Sequence, residues 1–173
     1  MKRLEVFEVL LGAVLAIVAF YLSSKLDFLE GYGYAGAFFV ALVSSATVIL
    51  PAPGWAVIGG MASFLNPFLL GVVAGVGSAF GELTGYMIGY GGREAIDRKM
   101  LLEYRRQKGW IRSADMLALF VLAALPNPIF DIAGMAAGAL RVPVWRFLLA
   151  VALGKIIKFL AVAYLGSFAT AYL

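Results

Sequence analysis

Apolar stretches separated by turn-forming residues make up most of the sequence, and three of them are candidates for membrane-spanning helices. The two longest cover residues 67–90 and 144–165, and a third lies within residues 1–30. About 20 apolar residues in a helix are enough to cross the hydrocarbon core of a bilayer. The stretch within residues 1–30 follows two basic residues but lacks a small-x-small cleavage site, so we predict a retained helix and not a cleaved signal.

Shorter apolar pieces lie between the long stretches, and paired prolines separate them into two pairs. Residues 34–50 and 55–65 flank the first break, and residues 116–125 and 129–140 flank the second. The breaks consist of Pro51, Pro53 and Gly54 and of Pro126, Asn127 and Pro128. Proline removes a backbone donor and disfavours helical geometry in the residue before it. An 11-residue piece such as 55–65 rises about 16 Å, roughly half of the core, so each pair predicts a re-entrant hairpin.

Prolines and charged residues recur at similar spacings in the two halves of the chain. In the first half, Pro67 stands before the next long stretch, 16 residues after Pro51. In the second half, Pro143 does so 17 residues after Pro126. A charged residue, Glu82 or Lys158, lies 15 residues after that second proline. We therefore predict an all-α integral membrane protein, built as an inverted repeat of a re-entrant helical hairpin plus a transmembrane helix and preceded by one extra N-terminal transmembrane helix.

We expect one membrane domain, 1–173, with four parts. They are the N-terminal transmembrane helix (1–30), the first repeat (31–92), a cytoplasmic amphipathic linker (93–115) and the second repeat (116–173). Asn66 and Pro67 predict an N-cap and a first helical position at the start of the long stretch in the first repeat. Glycines along that stretch predict a ridge that lets another backbone approach closely within lipid. They recur every four residues at Gly77, Gly81, Gly85 and Gly89, with Gly71 and Gly75 on an adjoining line.

The composition agrees with a membrane protein and excludes several chemistries. Charged residues make up 14% of the chain, against about 25% in soluble domains, and the mean hydropathy is +0.94. The chain has no cysteine and no histidine, which excludes disulfides, thiolate metal sites and Ser-His or Cys-His catalytic pairs. We therefore expect no enzymatic activity, no metal and no cofactor.

Basic residues are concentrated in the linker, which carries seven of them against four acidic residues, a net charge of +3. The linker predicts either a basic amphipathic helix on an anionic leaflet or a solvated loop. The positive-inside rule puts the N-terminus and the linker in the cytoplasm and the C-terminus outside, in a multi-pass protein of the cell membrane. This charge distribution fits a membrane surface better than nucleic acid, so we expect no nucleic-acid partner.

Glu82, Lys155 and Lys158 lie near the middles of the predicted spanning helices. A charge at that depth costs roughly 2.5–3.5 kcal/mol on insertion scales. One interpretation is an ion pair between Glu82 and one lysine that holds the halves together. The other is a titratable carboxylate, with the spare lysine contacting a phosphate. Two lysines for one acid mildly favour an anionic ligand.

The proline breaks are candidate substrate sites, because backbone groups freed at mid-membrane must be buried in protein or face water. The helix that starts after each break also presents a positive end suited to an anion, although the breaks could simply allow compact packing. Asp131 follows the second break and either caps that helix or faces a lysine or a cation. Asn127 is a candidate N-cap, and Arg141 a candidate contact for lipid phosphate.

Three segments together resemble the DedA family, also called the VTT or SNARE-associated Golgi protein-type domain. They are the glycine-rich block 77–92 around Glu82 and Tyr86, the motif 51–54 and the motif 125–131. The resemblance implies opposed re-entrant hairpins and movement of phospholipid or polyprenyl phosphate across the bilayer. Family members often couple to ions through acids near the first hairpin and arginines near the second. Ser44 and Trp55 stand where such acids are expected, and 122–125 contains no arginine, which favours passive exchange or a differently charged site.

The sequence thus predicts a flippase or scramblase that moves a phosphate-bearing lipid, with membrane lipids as its partners through an anionic headgroup or lipid phosphate. An ion- or proton-coupled transporter of small solutes is the first alternative. A non-transporting membrane assembly or scaffold protein is the second. The sequence is also compatible with a homo-oligomer. The residues predicted to contact substrate are Pro51, Pro53, Gly54, Glu82, Pro126, Asn127, Pro128, Asp131, Arg141, Lys155 and Lys158.

Overall fold

The computed structural model describes residues 28–46, 54–92, 114–125 and 129–172, and every regular element within these ranges is a helix. An all-α fold is therefore confirmed for this part of the chain. Most of the predicted N-terminal helix, both pairs of prolines with Asn127, and linker residues 93–113 lie outside the described residues.

Four helices come from the first half. Helix α1 is Phe28–Ala46, α2 is Gly54–Met61, α3 is Pro67–Gly81 and α4 is Leu83–Gly91. Gly33 interrupts α1 with φ 50° and ψ −140°, a conformation that only glycine adopts easily, so the regular helix follows it much as the apolar stretch from residue 34 predicted. The Glu82 N–H donates to the Ser78 carbonyl at 3.1 Å, and the Tyr86 N–H donates to the Glu82 carbonyl at 3.1 Å. Helices α3 and α4 therefore run on as one span.

Three helices come from the second half: α5 is Ala114–Ala124, α6 is Ile129–Ala139 and α7 is Val144–Thr170. Two helices in the described ranges are long and apolar enough to cross a membrane, the 25-residue Pro67–Gly91 and the 27-residue Val144–Thr170. They coincide with the two longest stretches of the sequence, and the second continues five residues beyond the predicted end at 165.

The start of α3 follows the sequence prediction. The Asn66 side chain accepts hydrogen bonds from the backbone N–H groups of Phe68 at 3.0 Å and Leu69 at 3.2 Å, and Pro67 is the first helical residue. Two amides that a helix start leaves without partners are thereby satisfied. The predicted N-cap is confirmed.

Helix α2 is shorter than predicted, ending at Met61 and not at residue 65. The next N–H groups donate to carbonyls three residues back, Ala62 to Gly59 at 3.3 Å and Ser63 to Gly60 at 3.1 Å. The Ser63 hydroxyl also donates to the Gly60 carbonyl at 2.8 Å. Serine competes in this way with helical backbone bonding, so the chain tightens into turns before Asn66.

The same pairs of elements pack together in both halves. Helices α1 and α5 each pack against the long helix of their own half, α3 and α7 respectively. Helices α2 and α6 each pack against the long helix of the other half, α2 on α7 and α6 on α4. The long helices also pack against each other through α3 and α7. Each half thus packs one short helix, α2 or α6, on the long span of the other half.

Two apolar clusters form the interior of the described part. The first contains residues of α1, α2, α3 and the C-terminal half of α7, including Phe159 and Ala163. The second contains residues of α4, α5, α6 and the N-terminal half of α7, including Phe147 and Val151. The middle of α7, around Lys155, therefore lies between the two clusters.

Candidate functional site

Glycines on the span Pro67–Gly91 set how closely its neighbours approach. A methyl group at Gly71 would lie 2.7 Å from the Leu160 Cα, and one at Gly75 would lie 2.5 Å from the Ile156 Cα, both on α7. Real side chains do not reach such distances, so both positions require glycine. The pairing of 71 with 160 and 75 with 156 also makes α3 and α7 antiparallel.

The ridge at every fourth residue contacts two different helices. Methyl groups at Gly77 and Gly81 would overlap backbone carbonyls of α1, and one at Gly89 would overlap the Met135 carbonyl of α6. At Gly85 the nearest atom would be the Asp131 carbonyl oxygen, at 3.9 Å, an ordinary contact. Gly77 and Gly81 of the ridge therefore contact α1, and Gly89 contacts α6.

Glu82 and Lys155 form an ion pair between the two long helices. Both residues are buried, with 4% and 5% of their surface exposed. Side chains lean towards the N-terminus of their own helix. Because the two helices are antiparallel, this leaning brings the carboxylate and the ammonium together from positions that are not directly opposite. The structure thus contains the ion pair that one interpretation of the sequence expected.

Helix α6 contributes to the same location. The Lys155 Nζ lies 4.7 Å from the centroid of the buried Phe130 ring, a cation–π arrangement. Asp131, the next residue, interacts electrostatically with Glu82 and with Lys158. Lys158 also interacts with Lys155, one turn before it on α7. We call Glu82, Asp131, Lys155 and Lys158 the charge cluster.

The charge cluster contains one more acid than the count made along the long helices. Counting only the middles of the long helices gave two lysines for one acid, and therefore a positive excess. Asp131 supplies a second carboxylate, so two acids face two lysines and the formal charges balance. The anionic ligand that the count of two lysines mildly favoured stays a prediction.

Hydroxyl groups next to Glu82 tie its helix to α1. The Ser45 and Ser78 hydroxyls are 2.6 Å apart, and Ser78 is fully buried. The Thr84 hydroxyl lies within hydrogen-bonding distance of the Ala46 carbonyl, at 3.0 Å, and of the Gly81 carbonyl, at 2.9 Å. Sequence reasoning missed these residues, and three small hydroxyl residues in apolar helices are a signal that could have pointed to them, since such side chains hydrogen-bond between helices in lipid.

A second group of contacts lies at the end of α4. The Tyr86 hydroxyl donates to the Val142 carbonyl at 2.7 Å, which fixes the turn between α6 and α7. The Arg141 guanidinium lies 5.3 Å from the centroid of the Tyr90 ring. Tyr90 is eight residues beyond Glu82, about 12 Å along a helix axis. Arg141 therefore lies apart from the charge cluster.

Other predicted site residues have different places. Gly54 begins α2 and is buried, and a methyl group there would overlap the Ser44 side chain, so α1 and α2 meet closely. Pro51, Pro53, Pro126, Asn127 and Pro128 lie outside the described residues. No group of three or more potential metal ligands occurs in ranges 28–46, 54–92, 114–125 and 129–172.

Three curated relatives resemble part of the chain. Vacuole membrane protein KMS1 of Arabidopsis thaliana is 32% identical over 106 residues, which are 50% of this chain and 26% of that protein. Vacuole membrane protein KMS2 of the same plant is 32% identical over 103 residues, 50% of this chain and 25% of that protein. A vacuole membrane protein 1 homolog of Dictyostelium discoideum is 30% identical over 105 residues, 47% of this chain and 26% of that protein.

These matches span about a quarter of the length of each relative. No solved structure matches the chain. The family model of the VTT domain matches residues 50–168, which contain α2 to α6, nearly all of α7 and the whole charge cluster. The apolar spans and the relatives make this a membrane protein, and the chain belongs to the VTT domain family, as its resemblance to DedA proteins indicated.

Proposed function

We propose that the chain moves a phosphate-bearing lipid, a phospholipid or a polyprenyl phosphate, between the leaflets of a membrane as a flippase or scramblase. The charge cluster is the observation that carries the proposal. A buried ion pair, with two further charged side chains that interact electrostatically with it, lies where the two apolar clusters adjoin. In a membrane such groups are expensive and usually mark a substrate or ion pathway. A polar headgroup needs such a pathway to cross the hydrocarbon core.

The packing of the helices supports the inverted repeat that the proposal requires. Corresponding helices of the two halves make corresponding contacts, with each second arm lying on the long helix of the other half. Helix α2 has 8 residues and α6 has 11, which rise about 12 and 16 Å, too little to cross. Short arms next to proline breaks are the arrangement expected of re-entrant hairpins in transporters.

The cell membrane as the location, and the orientation of the chain in it, remain predictions from the sequence. Basic residues of the linker and the N-terminal segment favour a cytoplasmic location for both in a cell membrane. The substrate roles of the paired prolines, Asn127 and Arg141 also remain predictions, as do the absence of enzymatic activity and the homo-oligomer. The lipid pathway that we propose runs from the two breaks past the charge cluster.

The test is reconstitution of the purified chain into liposomes that contain a fluorescently labelled phospholipid or a labelled polyprenyl phosphate. We expect leaflet exchange of at least one of these lipids to be faster than in empty liposomes. The matched variant Lys158→Met removes one charge of the cluster and should slow exchange several-fold. Exchange no faster than in empty liposomes for every lipid would refute the proposal.

The same liposomes distinguish the alternatives. Uptake of a small solute that stops when a proton gradient is collapsed would favour a coupled solute transporter. A scaffold is also compatible with the Glu82–Lys155 pair, because a buried ion pair can act as a structural link. If Glu82→Gln lowers stability while wild type and variant show no flux of any kind, the scaffold is the better description.

A further inference from the structure

One end of the two long helices carries two arginines, each lying over an aromatic ring. The Arg141 guanidinium is 5.3 Å from the centroid of the Tyr90 ring, and the Arg146 guanidinium is 5.1 Å from the centroid of the Trp145 ring. Both rings are open to the surroundings, with 48% of Tyr90 and 63% of Trp145 exposed. In the part of the chain that the structure describes, neither arginine forms an ion pair. We call these four residues the arginine–aromatic patch.

The patch lies at the depth of a membrane–water boundary. Tyr90 is eight residues after Glu82 on the span Pro67–Gly91, and Trp145 is ten residues before Lys155 on α7. These separations are about 12 and 15 Å along the helix axes. Because the two spans are antiparallel, both lead from the buried ion pair to the same side. Half of a hydrocarbon core is about 15 Å thick, so an ion pair at mid-membrane puts the patch near the headgroups.

The opposite ends of the same two helices carry no charge. Residues 60–70, around the start of α3, and residues 159–172, at the end of α7, contain no acidic or basic residue. The side chains exposed there include Phe68 and Phe168. The patch, by contrast, adjoins Gly92, after which the basic linker begins. Positive charge on the two spans is therefore confined to one membrane boundary.

The backbone at Arg141 indicates that its side chain is kept for a contact. Its φ is 54°, in the left-handed region that glycine usually occupies at the end of a helix. A residue held in such a conformation is a reason to look for a function. A guanidinium over an aromatic ring still presents its N–H donors at the edge of its plane, in a fork that matches two phosphate oxygens.

We propose that the arginine–aromatic patch docks the protein on a leaflet surface rich in acidic lipids, with both guanidinium groups at lipid phosphates and both rings in the headgroup layer. Tyrosine and tryptophan are enriched in this layer, and a negatively charged leaflet attracts basic residues close to it. The lipids that the patch contacts stay in their leaflet. The proposal therefore goes beyond the proposed lipid transfer and does not depend on it.

Quenching of a single tryptophan measures which lipids surround the patch. Trp55→Phe and Trp110→Phe in the full chain leave Trp145 as the only tryptophan. This protein is reconstituted into phosphatidylcholine vesicles that contain the same minor fraction of brominated phosphatidylglycerol or of brominated phosphatidylcholine. We expect stronger quenching by the acidic lipid, because it is enriched at the patch. The preference should shrink in about 1 M salt, where the Debye length is about 3 Å.

Removal of the two guanidinium groups tests their part in this preference. Arg141→Gly suits the left-handed backbone, and Arg146→Gln keeps a long polar side chain, so the double variant is expected to fold. It should lower the preference for the acidic lipid several-fold, since one basic residue near an acidic surface contributes a factor of about five.

A matched control moves the reporter to the uncharged end of the same helix. Trp145→Phe combined with Phe168→Trp, with the other two tryptophans again replaced, should show no preference between the two lipids. Equal quenching of Trp145 by both lipids, an equal preference at position 168, or a preference that survives the loss of both arginines overturns the proposal. Since no leaflet exchange is measured, absence of exchange counts against the proposed function alone.

Discussion

Arg141 closes helix α6 in a backbone conformation that side chains normally avoid. Its φ is 54°, the only positive φ of a non-glycine residue in the described ranges. The Arg141 N–H donates to the Gly138 carbonyl at 2.9 Å, and the Val142 N–H donates to the Ala137 carbonyl at 3.0 Å. This pair of bonds is the Schellman closure, in which glycine usually occupies the left-handed position. The stacking of the guanidinium on Tyr90 is a contact that glycine could not make.

Two substitutions at this position separate backbone strain from side-chain contact. Arg141→Ala and Arg141→Gly both remove the guanidinium, but only alanine retains the left-handed penalty. We expect Arg141→Gly to be more stable than Arg141→Ala by about 1 kcal/mol, the cost of that conformation for a side chain with a Cβ. Thermal or denaturant unfolding in the same detergent measures the difference. Equal stability of the two variants would mean that the turn relaxes and stores no strain.

At the residue scale, the sequence predicts what depends on local chemistry. Asn66 was recognisable as an N-cap because its side chain bonds to amides two and three residues ahead. The left-handed Arg141 was not, because arginine has no local preference for that conformation and the contact with Tyr90 bridges distant positions. Tyr86 was noticed only as part of a motif, since its bond to Val142 links residues 56 apart in sequence.

At the element scale, the glycine ridge of the span Pro67–Gly91 shows that equal spacing does not mean equal roles. Glycines at every fourth residue lie on one face of a helix, and we expected a single close neighbour on that face. The structure divides that face between α1 and α6, and a separate line of glycines contacts α7. Periodicity identifies which residues share a face of a helix but not how many helices that face touches. The number of neighbours follows from the fold.

Two glycines of this ridge should respond in opposite ways to alanine. At Gly89 a methyl group would overlap the backbone carbonyl of Met135, which cannot move without shifting α6. We expect Gly89→Ala to destabilise the protein by about 1–3 kcal/mol, as overpacking does. At Gly85 the same methyl group makes only an ordinary contact, so Gly85→Ala should be neutral or up to about 1 kcal/mol stabilising through helix propensity.

The two variants are controls for each other, since they are one turn apart on one helix and differ only in what the methyl group meets. Unfolding of both in the same micelles gives the comparison. A loss of stability in Gly85→Ala as large as in Gly89→Ala would show that α4 and α6 pack differently from the structure described here.

At the scale of the whole molecule, the Glu82–Lys155 pair links the two halves where their apolar clusters meet. The sequence located both residues near mid-membrane, because an isolated charge in a long apolar stretch is conspicuous. It left open which lysine pairs with Glu82, since Lys155 and Lys158 share a face of α7. The choice depends on the relative positions of two antiparallel helices. The part played by Asp131 depends in addition on how α6 lies across α4.

A double-mutant cycle measures this link. Glu82→Gln or Lys155→Met alone leaves a buried charge without its partner and should cost about 3–5 kcal/mol of stability. The double variant leaves neither charge and should lose much less than the sum of the two single changes. Unfolding free energies of the four proteins in one detergent provide the cycle. Additive losses would mean that the two side chains do not interact.

The helix that ends the described chain, α7, supplies residues to both apolar clusters and receives α2 at its C-terminal half, where a methyl group at Gly166 would overlap the carbonyl of Gly59. This sharing has a consequence for biosynthesis. While the ribosome is still adding residues before 144, helices α1 to α4 have been made, but the faces of α2 and α3 that pack on α7 are not yet covered. In the nascent first half, Gly59 of α2 and Gly71 and Gly75 of α3 therefore face the insertion machinery or lipid until α7 has been translated.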